Sequence, residues 1–305
     1  MKRDFLRLGD CTKTELEVLL ARAAQLKAER KAGKTHTTLA GKTLALVFEK
    51  ASTRTRVSFE AAMGQLGGQV ITLTAEGSQI ARGEPPQDTA RVLARYVDII
   101  MLRTFGDDRL RTFASASTVP VINGLSDGAH PVQLLADLQT VQENFGTLHD
   151  RVVAFVGDGK SNMAQSWIEA AGIFGFQLHI AAPDGYAPSV AASAGNITVT
   201  HDAREAVKHA DVINTDVWTS MGQEAESKKR LEAFRGYSVD AALLAAAPEK
   251  AIVLHCLPAH RGEEISEEAL EGAQSRVFDQ AENRLHAQKA LLELLLLGGV
   301  DAASL

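Results

Sequence analysis

The sequence predicts an α/β fold of two domains in series, each a parallel sheet flanked by helices. Two observations carry that prediction. Apolar runs of strand length alternate along all 305 residues with longer stretches of helical apolar spacing, the signature of parallel strands joined by crossover helices. A chain of 305 residues can also bury two cores of ordinary size. The domains are expected at 1–146 and 147–281. The C-terminal helix, 282–305, is expected to pack back on the first domain, so that two interdomain helices link the halves.

The first half opens with Thr12-Lys13-Thr14-Glu15, a capping box, ahead of Leu16, Leu19, Leu20, Ala23 and Leu26 at helical spacing. The apolar run at 43–48 reads as a buried strand, and Phe59, Met63 and Leu66 mark the helix after it, closed by Gly67-Gly68. A second strand is expected at 70–73, followed by a polar loop with paired prolines at 75–86. Helices at 89–96 and 108–115 alternate with strands at 97–102 and 119–123. Pro131 suits the first turn of a helix that runs to Gly146 and is the structural link between the halves.

The second half restarts with a strand at 151–156 and a glycine turn, Gly157-Asp158-Gly159. Helices are expected at 162–174 and 202–209, with strands at 177–182, 197–200, 211–215 and 251–254. A last strand at 276–278 precedes the last helix, 282–297. No fixed-period repeat or low-complexity segment interrupts the pattern.

Composition narrows the function. Hydrophobic content of 45% with 23% charged residues is that of a soluble globular protein. A net charge of −6 argues against a nucleic-acid footprint but leaves room for a local cationic seat. Two cysteines make no disulfide framework and suit a reducing compartment. The N-terminus lacks a signal-peptide core, and Glu293 interrupts the late apolar run. A cytoplasmic protein, with no membrane contact, is therefore expected.

The sharpest chemical signal is Ser52-Thr53-Arg54-Thr55-Arg56, at a strand-to-helix turn. A helix N-terminus presents unpaired N–H groups and the positive end of the dipole, so it seats anions. Ser52 alone could be an ordinary N-cap. Arg54 and Arg56 are unfavourable beside a positive dipole end unless an anion joins them. Four further polar clusters fall at strand ends or adjoining helix starts: Arg103, 130–133, 216–221 and 255–258. Ligands of open α/β sheets collect at such ends, which predicts a cleft between the halves with the anion on the N-terminal side.

Other motifs fail. Ala154 stands where a P-loop needs glycine, and Asn162 where a dinucleotide fingerprint needs its last glycine, so 157–159 is a tight turn. His255, Cys256 and His260 are too few for a structural zinc site. His255 and Cys256 are adjacent on a strand and face opposite ways, a poor geometry for proton exchange. His130, Arg103 and Asp216 are each unremarkable singly; their joint placement points to a site.

Together these residues resemble a known family. The runs 52–56, Leu102-Arg103-Thr104-Phe105 and His130-Pro131-Val132-Gln133 resemble the carbamoyl phosphate motifs shared by aspartate and ornithine carbamoyltransferases. Asp216-Val217-Trp218-Thr219-Ser220-Met221-Gly222 and His255-Cys256-Leu257-Pro258 resemble the ornithine branch. The likeness covers essentially the whole chain, through Arg284. It implies transfer of the carbamoyl group of carbamoyl phosphate to L-ornithine, giving L-citrulline and phosphate, with no metal and no organic cofactor. By the same resemblance Ser52, Thr53, Arg54 and Thr55 hold the phosphate. Arg103, His130 and Thr55 meet the carbamoyl oxygen, while Gln133 and the Leu257 carbonyl hold its NH2 group, and Arg284 closes on the same ligand. Asn162, Asp216, Ser220 and Met221 hold ornithine, with Cys256 and Asp216 near the reacting amine. Gln79 resembles a residue that reaches a neighbouring subunit's site, which implies a homotrimer or a multiple of one. Val132 and Ala81 depart from the family pattern, at positions with no implied ligand role.

Overall fold

The computed structural model describes residues 2–189, 195–219 and 224–298. It divides into two compact units, Met1–Gln139 with Glu282–Leu305, and Thr140–Ala281.

Unit 1 begins with α1 (Lys13–Lys31), whose N-terminus is closed by the expected capping box: Thr12 Oγ1 accepts from the Glu15 N–H, and Glu15 accepts from the Thr12 N–H. There follow β1 (Thr43–Phe48), α2 (Thr53–Gln65), β2 (Gln69–Thr74), α3 (Pro86–Leu93), β3 (Ile99–Arg103), α4 (Asp107–Ala116), β4 (Val121–Leu125) and α5 (Pro131–Phe145). The strands form a parallel sheet in the order β2-β1-β3-β4. Leu44 to Val47 are fully buried, as an apolar run in an inner strand requires, whereas edge strand β2 alternates and exposes Ile71. Val47, Ile100 and Leu102 pack with Leu110 and Phe113 of α4.

Unit 2 contains β5 (Val152–Val156), α6 (Asn162–Phe174), β6 (Gln177–Ala181), β7 (Ile197–Thr200), α7 (Ala203–Val207), β8 (Val212–Thr215), α8 (Ser227–Ala233), α9 (Ala241–Leu244), β9 (Ile252–His255) and α10 (Glu267–Glu271). Its parallel sheet has the order β7-β6-β5-β8-β9. Ala154, Val156, Ile213 and Val253 anchor its core, with Trp218 stacked on Phe234 at 5.5 Å between ring centres.

The last helix, α11 (Val277–Leu297), starts earlier than expected. The strand expected at 276–278 is absent: Val253 and Ser275 form one isolated bridge, and the chain then turns straight into α11. The sequence reading also passed over α8, α9 and α10, because helices of four to seven residues are too short to show a period. The chain crosses between units inside α5, after Gln139, where the boundary was expected at Gly146, and again inside α11. No helix among the described residues is long and apolar enough to cross a membrane.

Candidate functional site

Each sheet has one point where neighbouring strands send their connections opposite ways, and there the carboxyl ends of the strands leave a crevice. In unit 1 it lies between β1 and β3. Register pairs Phe48 with Arg103 and Arg103 with Leu125, so the loops carrying Ser52, Thr104 and Ser126 leave the sheet at one level.

Ser52 is the N-cap of α2, its hydroxyl accepting from the Thr55 N–H at 3.2 Å. The ordinary role is thus real, and it leaves the helix N-terminus beside a cluster of cations. Thr55 is buried, and its Oγ1 accepts from Arg103 Nη1 at 3.5 Å and Arg284 Nη2 at 3.1 Å. Arg284 Nη1 donates to Gln133 Oε1 at 2.6 Å, and Gln133 Nε2 donates to Asp137 at 2.8 Å. Four elements, α2, β3, α5 and α11, are therefore tied together by residues expected to form one site. His130, buried at the start of α5, has its pKa held well below the ordinary histidine value, first by burial and then by Arg284, Arg103 and Arg54. It is a neutral imidazole among guanidinium groups at neutral pH.

Arg56 does not join them. It is exposed and pairs with Glu60 at 2.9 Å. Two residues along a helix is about 200° around its axis, so Arg54 and Arg56 face different ways. Thr53 is exposed on the first turn of α2. Gln79 is exposed in a single 3-10 turn, Gln79–Arg82, and among the described residues takes no part in this cluster.

In unit 2 the corresponding point lies between β5 and β8. Val156 pairs with Thr215 and Thr215 with His255, so Gly157, Asp216 and Cys256 leave the sheet side by side. The Asp216 carboxylate accepts from the Val217 N–H at 2.8 Å and from the Cys256 thiol at 3.1 Å. Burial raises its pKa above the ordinary carboxylate value, opposed by His255, the thiol and that N–H. Asn162 heads α6, which is capped by Ser161. Leu257 belongs to this unit, whereas the other residues expected to hold carbamoyl phosphate belong to unit 1, and it has a left-handed backbone, φ 57. Ser220 and Met221 lie outside the described residues.

Sequence reasoning missed the groups that hold these residues. His255 Nδ1 accepts from the Leu257 N–H at 2.8 Å, and its Nε2 stands 3.0 Å from Glu264 Oε1. Nδ1 must then be the acceptor and Nε2 the N–H donor. With both ring nitrogens engaged, His255 orients the 256–257 turn and is not a ready third metal ligand beside Asp216 and Cys256. Arg230, buried, donates to Asp158 at 2.7 Å and to the Trp218 carbonyl at 2.9 Å, joining the glycine turn to the loop after β8. It sits in a Lys-Lys-Arg run that reads as solvated surface, and Glu264 in a Gly-Glu-Glu run that reads likewise. The turn at 157–159 is filled by the chain itself: a Cβ on Gly159 would fall 2.5 Å from Pro188.

Chemically, unit 1 presents a cationic seat with hydroxyl donors and a neutral imidazole, suited to an anion bearing a polarisable carbonyl. Unit 2 presents a buried carboxylate touching a thiol, suited to an amine. Comparison with known proteins bears on both. The family model described as the carbamoyl-P binding domain of aspartate/ornithine carbamoyltransferase matches residues 3–143, and the one described as the Asp/Orn binding domain matches residues 149–295. An ornithine carbamoyltransferase from Halorhodospira halophila is 56% identical over 97% of this chain and 99% of its own. One from Sorangium cellulosum is 56% identical over 99% of each chain. Among solved structures, the ornithine carbamoyltransferase from Pyrococcus furiosus has a TM-score of 0.92 at 48% identity, covering 98% of both chains. That from Burkholderia thailandensis has a TM-score of 0.90 at 44% identity, over 98% of this chain and 100% of its own.

Proposed function

The chain belongs to the aspartate/ornithine carbamoyltransferase family, and on that premise we propose that it transfers the carbamoyl group of carbamoyl phosphate to the δ-amine of L-ornithine, giving L-citrulline and phosphate. The observation that carries the reading is the tying of Thr55, Arg103, Gln133 and Arg284 into one cluster at the start of α2, around a neutral His130.

The phosphate rests on the α2 N-terminus with Ser52, Thr53, Arg54 and Thr55, as dipole and guanidinium charge favour. Arg103, His130 and Thr55 point at the carbamoyl oxygen, where negative charge builds as the amine attacks. Fixed donors aimed at developing charge lower the barrier without reorganising. A neutral His130 donates a hydrogen bond there without repelling the neighbouring arginines. Gln133 and the Leu257 carbonyl hold the carbamoyl NH2, and Arg284 braces Thr55 and Gln133. On unit 2, Asn162, Ser220 and Met221 hold the amino-acid end. Ornithine arrives as an ammonium; Asp216, its proton affinity raised by burial and backed by Cys256, takes up the proton that must leave before attack. The carbon–nitrogen bond then forms as the bond to phosphate breaks, the proton that the attacking nitrogen still sheds passes to the leaving phosphate, and that phosphate stays in its cationic seat.

The domains divide the labour: 1–146 with 282–305 for carbamoyl phosphate, 147–281 for ornithine. The protein serves arginine metabolism in the cytoplasm as a homotrimer or a multiple of one, in which the exposed Gln79 reaches a neighbouring copy; a solution mass of one or two chains contradicts that assembly. One assay tests the activity: carbamoyl phosphate with ornithine, beside putrescine, acetylornithine and aspartate. Citrulline and equal phosphate should form with ornithine and be the dominant reaction. No citrulline from folded protein, or faster transfer to another acceptor, sinks the proposal.

A further inference from the structure

We propose that Glu49 and Arg109 form a charge-balanced positioning pair behind the anion seat, in which Arg109 preserves phosphate affinity by cancelling the Glu49 carboxylate while the pair fixes Arg103. The inference rests on the reading of the seat as the carbamoyl phosphate site.

Glu49 is the first residue after β1, and its N–H donates to the Arg103 carbonyl at 2.9 Å. It therefore touches both strands that diverge at the unit 1 crevice. Its side chain is only 9% exposed, three positions before the Ser52 cap. A lone carboxylate there opposes the binding of phosphate, because a charge held out of water is poorly screened. Arg109 grips it with a fork: Nε donates to both carboxylate oxygens at 2.8 Å, and Nη2 to Oε1 at 2.6 Å. The Thr104 hydroxyl donates to Oε2. Bidentate contacts of this kind fix orientation as well as charge.

Arg109 is not explained by its own helix. It lies in the first turn of α4, where the dipole disfavours a cation. The acids beside it are occupied: Asp108 pairs with Arg111 at 2.6 Å, and Asp107 accepts from the Gly128 N–H at 3.3 Å. Lys50 repeats the device with opposite sign, donating to Asp127 at 2.6 Å and sitting over the Phe105 ring at 4.3 Å. Two adjacent residues of opposite charge thus hold the loops after β3 and β4 to the end of β1, and Arg103 is the last residue before the first of them.

The test separates charge from architecture. Affinity for carbamoyl phosphate and for inorganic phosphate is measured by calorimetry, kcat by citrulline formation, and folding by thermal unfolding, for wild type, R109Q, E49Q and the double variant E49Q/R109Q. R109Q uncovers the carboxylate and should weaken both ligands by about tenfold or more. The double variant, which has lost the whole fork but restored neutrality, should bind within about threefold of wild type, a non-additive result. E49Q should bind at least as tightly as wild type and yet lose kcat, since Thr104 and Arg109 lose the carboxylate that holds the loop following Arg103. Equal losses in R109Q and the double variant overturn the proposal, as does weakened phosphate binding in E49Q. If R109Q does not fold, the E49Q split between affinity and kcat decides alone. A wild type that binds phosphate but makes no citrulline refutes the reading of the site and leaves the pair's binding order measurable. A wild type that makes citrulline while the order fails refutes only the pair.

Discussion

His130 illustrates how a residue's surroundings set its chemistry. Buried beside Arg54, Arg103 and Arg284, it cannot carry a further positive charge near neutral pH, so it serves as a hydrogen-bond donor. On the proposed reading of the site, replacing it with alanine removes one donor to the carbamoyl oxygen. kcat should fall by roughly 10²–10³ with a much smaller change in carbamoyl phosphate affinity, measured by steady-state kinetics and calorimetry. A drop in affinity as large as the drop in kcat would place His130 in ground-state binding instead. The candidate cluster was legible in sequence because Arg54 beside the positive end of a helix dipole is costly without an anion. The supports were not. Arg109, Arg230 and Glu264 are charged residues in charged neighbourhoods, and only the fold shows that each is turned inward. Arg56 errs the other way. It looks like part of the motif and instead serves α2 by pairing with Glu60.

At the scale of elements, the strands were read well because an inner parallel strand must be almost wholly apolar, as β1 and β5 are. The short helices α8 to α10 were not, since their placement follows from tertiary packing. Helix α11 shows a different limit: its apolar run concealed charged groups buried with it. His286 is fully buried, with its pKa lowered to about 4 chiefly by burial; Glu282 3.6 Å away opposes the shift, and Lys289 and Lys27 add to it. The native state therefore binds this proton less readily than the unfolded chain. Its share of stability is intact above the ordinary histidine pKa and is lost as pH falls from there toward about 4. His286→Leu should flatten the fall in denaturant midpoint between pH 7 and pH 5. An unchanged slope would show that other groups set the acid limit.

Across the whole molecule, two parallel sheets each place their chemistry where the strand order reverses, and the two crevices carry complementary groups: a cationic seat in unit 1, a buried carboxylate and thiol in unit 2. On the reading proposed above, unit 1 supplies the phosphate seat and unit 2 the groups for the amine, so phosphate binding tests unit 1 by itself. The most direct measurement is a calorimetric titration of carbamoyl phosphate into wild type and into Arg54→Gly, with thermal unfolding of both. The account predicts binding by wild type, none detectable by the variant, and unfolding temperatures that stay close. Binding of similar strength by a folded Arg54→Gly protein would contradict it.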